Sequence, residues 1–456
     1  MRSYLSNRRT LYLVAVWALT LGGVAVLFLA PTDGQSAGFE NLPGAVQHEY
    51  EAGVPQTDAQ GRLLTGYAPA KSFLPIGLYH ALTGKYNGYT YSLAPAQALG
   101  CTFVHLLEKC RPAAAIAEAN RLGLQLVVHN PTPEELARFG TSDRILAWYL
   151  NEEPTTHFWA NHTEETEFAE FQQHMAAVKA VDPVHPVLVL DAPTFAGEMR
   201  EWWMRWNNAG DISSHDNYLI YAHESYKIPG GWHSLNTKRG IPSSVSLAVE
   251  ATGGHKPLWF VVQAHSTDGR KGPLVVFPTA EQERCMVYTA FICGATGIWY
   301  YCFDSYYTRL AGNFGISPTP QADYGGQSPD RQIVGPDGIA ASQALWAAVT
   351  GINQELTQLK PVLLSPTSNM NYSVGIKGEH FSPVPIRCLL KQVGHDYYLL
   401  AANTDDTPLE VRFEFPRLLN HAEVMFDSAA APHAETQTLT DSFPAWGVRV
   451  YKLTFA

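Results

Sequence analysis

The feature that most restricts what this chain can fold into is a rhythm. Eight times between Phe73 and Phe303 a short apolar run is followed by a helical or turn-rich stretch. The runs are Phe73–Tyr79, Cys101–Leu107, Leu124–Val128, Ile145–Glu153, Pro186–Asp191, Ile212–Tyr218, Pro257–Gln263 and Gly297–Phe303. Apolar runs bounded by polar residues read as strands buried on both faces, as in a parallel sheet. The segments between them carry helix punctuation. Thr132-Pro-Glu-Glu supplies a threonine cap, a proline at the first helical position and acids in the first turn. Gly123 ends the helix-forming run Pro112–Leu122. Phe168, Phe171, Met175 and Val178 recur at helical spacing. Eight strands alternating with eight helices predict an α/β protein, a closed (β/α)8 TIM barrel spanning residues 71–360. An open doubly wound sheet is disfavoured, because Pro75-Ile-Gly-Leu-Tyr after the first strand is no Gly-rich phosphate turn.

The rhythm changes after Pro361. Tyr397–Asn403, Leu409–Phe415 and Val448–Thr454 are short alternating strands, which predict a small C-terminal β-sandwich over residues 361–456. Ahead of the barrel, residues 36–70 read as a linker rich in Gly, Pro, Gln and Asp. Leu11–Ala30 is an uncharged stretch behind Arg2, Arg8 and Arg9, and its length matches one bilayer span of about 20 residues. The arginines favour a cytoplasmic N-terminus. Residues 1–35 are therefore expected to form a transmembrane signal-anchor. The globular part is then extracytoplasmic, periplasmic or extracellular; cleavage near Gln35-Ser-Ala-Gly is the alternative.

The formal net charge of −11 argues against a nucleic-acid-binding surface. The six cysteines form no CxxC pair and give no zinc-type spacing with histidine, so buried free thiols are the expectation. Cys101 and Cys110 are the one close pair that an oxidising compartment would join. No metal and no cofactor is expected.

In such a barrel the chemistry sits at the carboxyl ends of the strands. Those ends carry Tyr79 and His80, Glu108, His129 and Asn130, Asn151 with Glu152 and Glu153, and Asp191. They continue with His215, Asp216 and Tyr218, then Gln263 and His265, then Tyr301 and Asp304. There is no strand-end lysine for a Schiff base and no GxSxG elbow. Acids, amides and aromatics are what glycosidic cleavage needs. One carboxyl gives a proton to the leaving oxygen, a second meets the oxocarbenium-like carbon, and amides and ring faces hold the sugar. Of Trp299 and Tyr301 on the last strand, only one is expected to face the barrel centre. Trp202, Trp203 and Trp206 resemble a sugar platform, but their helical spacing favours packing.

Asn151-Glu152-Glu153-Pro154 resembles the Asn-Glu-Pro-type acid/base motif of the large clan of (β/α)8 glycoside hydrolases. Phe73–Tyr79, Asp211–Tyr218, Pro257–Gln263, the Glu281–Tyr288 helix start and Gly294–Tyr301 are similar to a bacterial branch of glycoside-hydrolase-like barrels. The C-terminal sandwich is similar to the β domain that follows them. The resemblance covers residues 70–456 and implies Glu153 as general acid. It also implies a polysaccharide or oligosaccharide as the partner, and Tyr79, Asn130, Asn151, Glu152, Asp191, Tyr218, Gln263 and Tyr301 as substrate-binding. The chain departs from the pattern at one place: the clan's nucleophile ends strand seven, where this chain has Gln263. An amide cannot serve as a carboxylate nucleophile. Either the second carboxylate is Asp216 or Asp191, with Asp216 preferred as partner of Glu153, or the protein binds glycan in an assembly or export system without cutting it. A Glu153–Asp216 separation of about 5 Å implies retention, and about 6.5–9.5 Å inversion.

Overall fold

A computed structural model describes residues 38–42, 73–156, 163–195, 197–222, 233–267, 275–321, 336–365, 367–427 and 432–456. The proposed membrane anchor and most of the expected linker lie outside these residues. No helix among the described residues is long and apolar enough to cross a membrane.

The eight expected strands form. They are β1 (Ile76–Ala81), β2 (Phe103–Leu106), β3 (Gln125–His129), β4 (Ile145–Glu152), β5 (Val187–Leu190), β6 (Ile212–Asp216), β7 (Leu258–Gln263) and β8 (Gly297–Tyr301). Each pairs in parallel with the next, and β8 pairs with β1, so the sheet closes. Helices follow in turn: α1 (Ala94–Ala98), α2 (Pro112–Leu122), α3 (Pro133–Phe139), α4 (Glu164–Val181), α5 (Gly197–Asn207), α6 (Ile241–Thr252) and α7 (Ala280–Cys293). The short α8 (Tyr306–Leu310) and the long α9 (Pro336–Leu363) come after β8. Thr132 caps α3 in a capping box with Glu135, and Thr279 caps α7 in one with Gln282.

The barrel is plugged by aromatic rings. Phe103 packs on Trp259 at 5.0 Å and Tyr79 on Trp299 at 4.7 Å between ring centroids. Gly77 makes room for this plug, because a Cβ there would lie 2.2 Å from the Phe103 ring. Trp299 and Tyr301 both join this interior cluster, contrary to the expectation that only one would. Residues two apart on a strand share a face. Trp203 and Trp206 are fully buried, and Trp206 packs against Phe168 and Phe171 of α4, so they are packing residues. All six cysteines are buried thiols.

After the barrel come β9 (Ser373–Lys377), β10 (Ile386–Val393), β11 (Asp396–Asn403), β12 (Leu409–Glu414), β13 (Leu419–Met425), β14 (His433–Glu435), β15 (Thr438–Phe443) and β16 (Val448–Phe455). One antiparallel sheet runs β10-β11-β16-β13. The other runs β9-β12-β15-β14, with Glu40–Asn41 added at the edge of β9. That edge pairing was not anticipated for a segment read as linker. The sheets enclose a core including Val411, Phe413, Leu399 and Tyr451. A second set of sandwich side chains, among them Leu389, Leu400, Val448 and Val450, belongs to the barrel's own apolar cluster. Arg284 of α7 donates to the Val448 carbonyl at 2.9 Å.

The loop between β6 and α6 is stitched to the sandwich by polar groups. Leu235 N–H donates to Thr404 O at 2.8 Å, and Asp406 N–H to His233 O at 2.9 Å. Asn236 donates to the Val384 carbonyl, accepts from Arg387 at 3.0 Å, and offers its own carbonyl to Ser382 at 3.1 Å.

Candidate functional site

The end of β4 is built against ordinary strand alternation. Successive residues of a strand point to opposite faces, which would separate Glu152 from Glu153. Glu153 instead adopts φ +46°, a left-handed conformation uncommon outside glycine. Its N–H donates to Leu190 O at 2.8 Å, and its carbonyl accepts from the Thr156 N–H and hydroxyl, each at 3.0 Å. These bonds over-determine the bend. Both carboxyls consequently reach the barrel mouth.

Glu152 accepts a hydrogen bond from the Tyr79 hydroxyl at 2.9 Å, and that hydroxyl also lies 3.1 Å from the Tyr149 hydroxyl. The alternative in which Glu152 turns outward is thereby excluded. Glu153 is half-buried, accepts from the Thr156 hydroxyl at 3.0 Å, and is hydrogen-bonded to Asp216 at the end of β6. Asp216 is buried, and Tyr218 bonds it as well. Burial pushes the Asp216 carboxyl well above the usual carboxylate range; the charge of Glu153 and their shared hydrogen bond push it further, and Tyr218 acts in the opposite direction.

Asp191 stands at the end of β5, fully buried. One of its oxygens accepts from the Thr155 N–H at 3.1 Å and hydroxyl at 2.9 Å, so it fixes the turn that follows Glu153. Trp203 holds the Asp191 carbonyl at 3.2 Å. Burial raises its pKa well above normal, Thr155 opposes that, and the charge of Glu153 adds to it. Among the described residues, one oxygen of Asp191 and one of Asp216 are buried without a hydrogen-bond partner.

Aromatic rings wall the mouth. Tyr301 contacts Tyr79 at 5.1 Å, His80 at 5.4 Å, His265 at 4.8 Å and Tyr218 at 5.7 Å between ring centroids. Its hydroxyl accepts from Asn313 at 2.9 Å. Burial lowers the pKa of His80 and of His265 to about 3, so both rings are neutral. Burial also raises the tyrosines Tyr79, Tyr149, Tyr218 and Tyr301 well above 10.

The structure thus brings together Glu152, Glu153, Asp216, Asp191, Tyr79, Tyr218 and Tyr301. Asn151 is half-buried beside them, where the β4–β5 register shifts. Asn130 is exposed and engaged elsewhere: its carbonyl accepts from Arg111 at 3.2 Å and its side chain meets His129 at 3.3 Å. Gln263 requires a correction. Its oxygen accepts from Ile220 N–H, and its amide nitrogen donates to Ile220 O and Val276 O, all at 2.9 Å. Both donors are spent on backbone and the side chain is fully buried, so it is a brace between two loops and no sugar ligand. His215 points away from the mouth, bonding Ser244 at 3.2 Å and packing on Trp203 and Phe260. Asp304 is paired with Arg309 at 2.8 Å. Among the described residues no cluster of histidine, cysteine and acid is arranged for a metal. Thr155 and Asn313 escaped the sequence reading, since neither ends a barrel strand.

No protein-family model matches the chain, and no curated protein matches it. Among solved structures it is similar to a family 30 glycoside hydrolase endoxylanase from Clostridium papyrosolvens C71. The identity is 11%, the match covers 84% of this chain and 96% of that one, and the TM-score is 0.41. An alpha-amylase from H. orenii is similar at 9% identity, over 83% of this chain and 99% of that one, with TM-score 0.47. An isomaltulose synthase from Klebsiella sp. LX3 is similar at 9% identity, over 83% and 98%, with TM-score 0.46. The (β/α)8 barrel itself rests on the strand pairing described above.

Proposed function

We propose that the chain binds an oligosaccharide across the carboxyl ends of its barrel strands and hydrolyses a glycosidic bond there, with Glu153 as the proton donor. The observation that carries this is the direct hydrogen bond between a half-exposed carboxyl, Glu153, and a buried one, Asp216. Asp216 holds its proton above the usual carboxylate range, because burial and the charge of Glu153 oppose its ionisation. Glu153 is the member that a sugar reaches. It gives the proton to the glycosidic oxygen, and Asp216 is the neighbouring acid that resupplies it. Glu152, fixed by Tyr79, is the carboxylate left to face the positive charge that develops at the anomeric carbon. Tyr301 and Tyr218 provide ring faces for the sugar.

The same reading puts the uncharged stretch 11–30 in a bilayer and the barrel outside the cytoplasm. Retention of the full chain in the pellet after a carbonate wash supports this; a soluble product beginning near Gly38 overturns it.

A non-catalytic glycan-binding role is the second reading. Gln263 favours it, since the strand that carries the clan's nucleophile ends here in an amide committed to backbone. Glu153→Gln decides between the two. Proton-transfer catalysis contributes about 10²–10⁴-fold. A loss of that size in turnover, with glycan affinity kept, supports hydrolysis. Glycan binding without cleavage by the unaltered protein, across a broad panel, selects the second reading.

A further inference from the structure

Tyr79 of β1 and Tyr149 of β4 meet across the barrel, and one extra residue in β4 brings Glu152 to them. Residues three apart on a regular strand point to opposite faces. Here the β4–β5 register shifts between Tyr149 and Asn151, so that Tyr149 pairs with Leu188 and Glu152 with Leu190. Leu188, Leu190 and Tyr149 belong to the barrel interior, whereas Leu150, the residue passed over, belongs to the other apolar cluster of the barrel. The shift therefore turns Glu152 to the side of Tyr149. Both tyrosine rings are buried and held by neighbours. Tyr149 stacks on His129 at 4.6 Å, and Tyr79 packs on His105 at 4.2 Å between ring centroids.

Proton counting gives the hydrogen bonds a direction. Burial holds both phenols well above 10, so both hydroxyls keep their protons. An ionised carboxyl only accepts. Tyr79 has one proton and two oxygen neighbours, Glu152 at 2.9 Å and Tyr149 at 3.1 Å. When Tyr149 donates to Tyr79, the Tyr79 proton goes to Glu152. When Tyr149 accepts instead, Glu152 loses that donor. The charges of Glu152, Glu153 and Asp216 all act on Tyr149 and favour the first arrangement. A hydroxyl that receives a hydrogen bond also donates a stronger one.

We propose that Tyr149 is a positioning residue of this mouth: its hydroxyl donates to Tyr79 and commits the Tyr79 proton to Glu152, so that Glu152 stays the ionised carboxyl. The use made of that carboxyl rests on the hydrolytic reading; the hydrogen-bond chain does not. The other titratable groups around the two hydroxyls are His80 on β1, His105 on β2, His129 on β3, Glu153 on β4, Asp216 on β6 and Tyr301 on β8. Burial holds the three imidazoles below their usual range, so they stay neutral where Glu152 works.

The test uses the full chain in detergent. Tyr149→Phe, Tyr79→Phe and their double variant keep the rings and remove the hydroxyls, and circular dichroism checks the fold. NMR of chain labelled at its glutamate carboxyl carbons follows the ionisation of Glu152 against pH, with Glu152→Gln identifying its signal. The midpoint is expected to rise by about half a pH unit in Tyr149→Phe and by about one unit or more in Tyr79→Phe. The double variant is expected to match Tyr79→Phe alone, because Tyr149 acts through Tyr79. An unmoved midpoint in Tyr149→Phe, or shifts that add in the double variant, overturns the proposal. An unmoved midpoint in Tyr79→Phe overturns it whatever the fate of Tyr149→Phe. In hydrolysis the same variants are expected to lower kcat more than they raise KM and to move the acid limb of kcat/KM upward. The hydrolytic reading fails separately: a midpoint that moves in a chain that cleaves no glycan removes hydrolysis and keeps the role of Tyr149, and cleavage with an unmoved midpoint does the reverse.

Discussion

Asp216 and Gln263 end neighbouring strands, with Asp216 paired in register to Val261, and both are buried. Their chemistry is opposite. Gln263 satisfies its amide on Ile220 and Val276, so its polar capacity is consumed by the protein itself. Asp216 has one oxygen without a partner among the described residues, and its carboxyl is pushed well above the usual carboxylate range. A buried polar group that is fully satisfied internally is part of the scaffold; one left incomplete marks where a ligand completes it. Strand-end position alone does not distinguish the two.

The largest expected effect lies on the incomplete side. Asp216→Asn is expected to lower turnover about 10²–10⁴-fold with the fold retained, measured as hydrolysis rate alongside circular dichroism. If activity falls less than tenfold, Asp216 is no proton partner and the contrast collapses.

On the satisfied side the effect is expected in stability. Gln263→Ala leaves Ile220 N–H, Ile220 O and Val276 O without this partner. At about 1–3 kcal/mol for a buried group left unpaired, with some relief from solvent, a loss of about 2–4 kcal/mol is expected in denaturant melts. Turnover measured well below the melting temperature should change little. Gln263→Glu sharpens the point. It supplies the carboxylate that the clan places here, yet aims it at two carbonyl oxygens. It is expected to destabilise the chain and to gain no activity, and a gain would show that the brace can be given up for a nucleophile.

A smaller effect concerns pH. The folded chain holds the Asp216 proton to higher pH than the unfolded chain, whose aspartates ionise near about pH 4. The folded state therefore binds more protons as pH rises above that value. Stability from this group is complete below it and is lost as pH climbs towards the raised folded value. Asp216→Asn should flatten that decline in a series of melting temperatures against pH, and an unchanged slope would assign the decline to other groups.

The frame of this molecule was legible because burial on both faces forces unbroken apolar runs, and each of the eight became a strand. The helices were legible from Thr132, Gly123 and the spacing of Phe168 and Phe171. The site was legible in position and only partly in role. The φ of Glu153 depends on bonds to Leu190 and Thr156, which lie in different segments. Nothing in Asn-Glu-Glu-Pro announces that two adjacent acids share a face. Gln263 was named as a ligand from its place on β7, whereas its partners come from loops whose conformation no local pattern encodes. The pairing of Glu40–Asn41 with β9 was hidden for the same reason, since it joins residues more than three hundred positions apart.

The polar stitching of the β6–α6 loop to the sandwich has a consequence in time. Asp216 and Tyr218 lead into a loop whose anchors, Thr404 and Asp406, are made some 170 residues later. A ribosome that has released the whole barrel has not yet released those anchors. The described end of that loop, at His233 and Leu235, therefore waits for the sandwich, and a protein cut short before Thr404 would carry the acids without these anchors.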